Sequence, residues 1–80
     1  MTSNDRAPLA AGDLVQVLYY DTRVGTVLGE FPVLSCRLWL PRPTDGTRWN
    51  LTYDRDGEQH SVLVDANGID RHRTVRPVRR

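Results

Sequence analysis

The chain has 80 residues and one cysteine, so it holds one small domain and no internal disulfide. Eleven arginines, no lysine and ten acids give a net charge of +1, a total that neither requires nor excludes a polyanionic partner. Its distribution is uneven: residues 1–70 carry six arginines against all ten acids, −4, and residues 71–80 carry five arginines and no acid, +5.

At this length folding buries only about 60% of the surface of the unfolded chain, and the total stability is on the order of 4–12 kcal/mol. Little is left to spare. An apolar fraction of 39%, rich in strand formers and poor in the residues that dominate helical domains, predicts an all-β fold with a single thin core. The chain opens Met-Thr-Ser-Asn-Asp-Arg-Ala-Pro, and its longest apolar run is the four residues 17–20. Neither looks like a secretory signal or a membrane span, so the expectation is a soluble cytoplasmic protein.

In chain order, residues 1–11 are small and polar and predict a flexible lead; residues 12–75 predict the folded domain, and residues 76–80 a basic tail. Leu14-Val15-Gln16-Val17-Leu18-Tyr19-Tyr20 reads as a first strand, closed by the turn Asp21-Thr22-Arg23. Residues 24–31 read as a second strand whose Gly25 and Gly29 imply a sharply bent sheet. Pro32 is expected to end it. A third strand over residues 33–40 contains Trp39, and residues 41–46 are a loop by composition.

Residues 48–54 and 59–65 flank Asp56-Gly57, a dipeptide favoured in two-residue hairpin turns because both central residues need positive φ. Pairing Arg55 with Glu58 places Trp49 opposite Val64, Leu51 opposite Val62 and Tyr53 opposite His60. One face is then apolar. The other is polar except for Leu63, and a one-residue slip would scramble both. After the hairpin, residues 65–70 predict a tight turn of 3₁₀ type, and residues 73–78 a short last strand that Pro77 confines to an edge. The inventory is five antiparallel strands, or six, with no helix-period window.

Short twisted strands in this number, with a tight turn before the last, look like the SH3-like barrel group. Gly12-Asp13-Leu14-Val15-Gln16-Val17 followed by Arg23-Val24-Gly25-Thr26-Val27 resembles the opening of KOW and Tudor-type modules. The resemblance implies a small SH3-like β-barrel. Members of that group bind RNA, DNA, modified or proline-rich peptides, or one another, so it implies a fold more than a function.

Residues suited to catalysis are few. His60 falls mid-strand on the apolar face near Tyr53, His72 stands between two arginines, and Cys36 lies in a strand-like run as an inert, buried thiol. Seven of the eight aspartates border turns, where aspartate serves local hydrogen bonding. No phosphate-cradling loop and no metal-ligand spacing is present, so the expectation is a non-enzymatic protein with no cofactor and no metal.

Two features point to a partner. Arg71, Arg73, Arg76, Arg79 and Arg80 would aim a nucleic acid at one end of the domain, unless they only solubilise the segment or pair with acids of the body. A segment folded back as an ordinary edge strand would remove this preference. Tyr19, Tyr20, Trp39, Trp49 and Tyr53, with Phe31, exceed what so small a core holds, so an exposed aromatic patch is expected. It would stack on bases, or dock a protein partner or a second copy of the chain.

Overall fold

A computed structural model describes residues 7–40 and 46–78, and across them the chain is all-β, with five antiparallel strands in one sheet and no helix. The strands are β1 (Leu14–Asp21), β2 (Gly25–Leu40), β3 (Arg48–Arg55), β4 (Glu58–Val64) and β5 (Val75–Pro77), in the sheet order β4-β3-β2-β1-β5. The ladder does not close into a barrel. Its two edges, β4 and β5, do not pair among the described residues; an isolated bridge, Val64 to Asp70, ties β4 to the turn segment that precedes β5.

The sequence predicts two strands separated at Pro32, and the structure joins them into one strand of 16 residues. The reason is a change of neighbour. The first half of β2 pairs with β1, from Asp21 opposite Gly25 to Leu14 opposite Pro32, and the second half pairs with β3, beginning with Val33 opposite Tyr53. Pro32 stands at the handover, where its missing N–H interrupts neither ladder. A Cβ on Gly29 would meet the Phe31 ring at 2.8 Å, so glycine there lets Phe31 fold back across the bend. Among the described residues the count is five strands.

The β3–β4 hairpin has the register its turn predicts, with Arg55 opposite Glu58, Tyr53 opposite His60, Leu51 opposite Val62 and Trp49 opposite Val64. Asp56 and Gly57 both have positive φ, 55° and 89°, and the Gly57 N–H donates to Asp54 Oδ1 at 2.9 Å. Trp49, Leu51, Tyr53 and Val64 are buried, whereas Thr52 and Ser61 share a 3.0 Å hydrogen bond on the outer face. The inner face packs on Val15, Val17, Phe31, Val33 and Val75. Leu9, from the segment expected as a flexible lead, is also buried in this core, and the Gly12 N–H donates to Val33 O at 2.9 Å.

Between β4 and β5, where a tight turn is expected over residues 65–70, two successive reverse turns follow each other. The Gly68 N–H donates to Asp65 O and the Arg73 N–H to Asp70 O, at 2.9 and 3.1 Å. Gly68 and Arg73 adopt φ of 78° and 59°, outside the range of a 3₁₀ helix. No helix among them is long and apolar enough to cross a membrane.

Candidate functional site

The C-terminal segment does not stand free as far as it is described. β5 pairs with β1 through Val15 opposite Pro77, Gln16 opposite Arg76 and Val17 opposite Val75, and the Val78 N–H donates to Leu14 O at 3.0 Å. Arg76 Nε donates to Gln16 Oε1 at 2.8 Å, so this arginine is held on the sheet edge. Residues 75–77 form the short edge strand expected over residues 73–78, so the described part of the basic segment folds back on the sheet, the outcome that removes the preference read from its charge. Arg79 and Arg80 lie outside the described residues.

Arg71 and Arg73 occupy the turn just before β5, and both are exposed. Neither guanidinium has a hydrogen bond or ion pair among the described residues. The two turns aim them into an open groove of about 830 Å³, shared with Trp39 from the end of β2, Arg48 from the start of β3 and Leu63 from β4. Register explains the meeting. Leu40 lies opposite Arg48 across an irregularity in the β2–β3 ladder, and Leu63 lies opposite Asn50 on the outer face of the hairpin. Trp39 remains 56% exposed there.

Asp65 and Asp70 also line the groove, so its formal balance is three positive groups against two negative ones. The carboxylates are committed to the turns. Asp65 Oδ1 accepts the Asn67 and Ile69 N–H groups at 2.8 and 3.1 Å. Asp70, only 6% exposed, accepts the Val75 N–H at 2.9 Å and the Thr74 hydroxyl at 2.6 Å. Backbone and hydroxyl donors thus hold the acids, while Arg71 and Arg73 stay exposed and Arg48, half-buried, donates to Thr47 O at 3.4 Å.

The five aromatics expected as one patch are divided. Trp49 and Tyr53 are core residues, 4% and 6% exposed. Tyr53 stacks between Phe31 and His60, with ring centroids 6.2 and 5.6 Å away. Tyr19 is half-buried against Phe31 and carries the Arg55 guanidinium 4.4 Å over its ring. Tyr20 is exposed but lies opposite Thr26 near the start of β2, whereas Trp39 is near its end. Only Trp39 joins the arginines.

His60 contacts Glu58 through Nε2 and Oε1 at 3.0 Å, in addition to its stack on Tyr53. Cys36 is half-buried, and burial pushes its thiol up, against a smaller downward pull from a backbone hydrogen bond with Leu9. That disfavours the thiolate. Arg48 and Leu63 were not among the residues the sequence points to, although Leu63 carried a signal as the one apolar exception on the polar face of the hairpin. No family model, curated protein or solved structure matches this chain.

Proposed function

We propose that the chain is a small, non-enzymatic binding module of SH3-like kind that contacts nucleic acid through the groove of Trp39, Arg48, Arg71 and Arg73. The carrying observation is that Arg71 and Arg73 are exposed and unpartnered beside an exposed indole. Guanidinium contacts phosphate bidentately, and an exposed aromatic next to it adds a surface for bases. The sheet order, with β5 returning to β1 beside a four-strand meander, supports the SH3-like reading.

Three phosphate contacts predict that log affinity falls against log salt with a slope of about −2.7 on duplex or about −2.1 on single strands. Fluorescence anisotropy with labelled oligonucleotides, from about 50 to about 200 mM salt, measures it. Replacing Arg48, Arg71 and Arg73 together by alanine should flatten the slope. No binding at the lower salt would end this reading.

A second reading, docking of a protein partner or a second copy, has its own observation. Leu18 and Leu28 face each other across β1 and β2 and are 43% and 56% exposed, and Tyr20 and Val24 near them are more exposed still. Light scattering that shows a monomer at every concentration would remove self-assembly.

A further inference from the structure

We infer that the groove takes an unpaired base, so that the favoured ligand is single-stranded nucleic acid; this rests on the nucleic-acid reading above and specifies it. In a duplex each base face is covered by the next base, and a protein meets only phosphates and base edges. An indole held 56% exposed inside a groove has no planar partner in such a ligand. An unstacked base offers one.

The surroundings fit that occupant. Leu63, 41% exposed, and the half-buried Ile69 give an apolar lining beside Trp39. The open groove, about 830 Å³, has room for a single base. Arg48, Arg71 and Arg73 line the same groove and supply cations for the phosphates of a strand. A phosphate-only contact would require the arginines and leave Trp39 and Leu63 without a role.

The test compares a labelled twelve-nucleotide oligo-dT, its oligo-rU counterpart, the dT·dA duplex of the same length and an oligoglutamate peptide, at one salt concentration. Wild type should prefer both single strands to the duplex, and only they should quench tryptophan fluorescence. Trp39→Ala should lose roughly 5- to 150-fold in single-strand affinity, the range that one stacked base supplies, and keep its duplex affinity. Trp39→Phe should retain most of the single-strand binding. Equal affinity for duplex and single strands, unmoved by Trp39→Ala, would overturn base stacking and leave the nucleic-acid reading in place. Failure of every oligonucleotide to bind, or tighter binding of oligoglutamate, would overturn both.

Discussion

Asp70 fixes Val75: a carboxylate 6% exposed accepts the buried Val75 N–H at 2.9 Å, and this bond sets where β5 starts. The same carboxylate accepts the Thr74 hydroxyl, so one side chain anchors the turn that carries Arg71 and Arg73. Asp70→Ala leaves a buried donor unsatisfied and should lower stability by about 1–3 kcal/mol. Asp70→Asn keeps an acceptor and should lose less. Urea unfolding of both variants measures the difference, and equal losses would show that the Val75 bond is not what Asp70 contributes.

Two of the positive-φ glycines differ in their surroundings. Gly57 has φ 89° with open space where a Cβ would go, so Gly57→Ala should cost only the left-handed backbone penalty, about 1–2 kcal/mol. At Gly68, φ is 78° and a Cβ would meet Pro77 Cγ at 2.8 Å and Leu9 Cδ1 at 3.3 Å. Overpacking adds about 1–3 kcal/mol there. Gly68→Ala should therefore be the more damaging by urea unfolding, and the reverse order would mean that Leu9 and Pro77 do not close on this turn.

The hairpin could be read from sequence because two signals agree: Asp56-Gly57 demands a tight turn, and the alternation around it makes sense in one register only. β2 could not be read as one strand, because Pro32 is locally a strand stop and becomes harmless only where the strand exchanges β1 for β3. The groove is harder still. Its arginines 71 and 73 stand out by charge, but Trp39 reaches Arg48 and Leu63 only through the β2–β3 pairing, which no local pattern encodes. Which C-terminal arginines are held was illegible for a related reason, since a run of arginines reads as solvated until the partner for Arg76, Gln16 on β1, is known.

Alkaline pH should destabilise the fold in two stages. Burial holds the Cys36 thiol above its ordinary value, so the unfolded chain ionises first; the contribution of Cys36 is complete below the ordinary thiol value and is lost as pH rises through the raised one. Tyr53 behaves alike at higher pH: burial raises it, Arg55 pulls it down and Asp70 pushes it further up. Urea midpoints should fall from about pH 8 upward, and Cys36→Ala should flatten the first stage while leaving the second. An unchanged pH slope in Cys36→Ala would show that the thiol ionises equally easily in both states.

The two tryptophans should separate structure from function. Trp49 is 4% exposed in the core, and Trp49→Ala should cost about 3–5 kcal/mol, close to the whole stability of a domain this small. Trp39 is 56% exposed and lies outside that core, so Trp39→Ala should cost less than about 1 kcal/mol and leave the near-native circular dichroism and urea midpoint in place. If Trp39→Ala instead unfolded the domain, Trp39 would be a structural cover for β2 and β4, and the groove would lose its claim to a ligand.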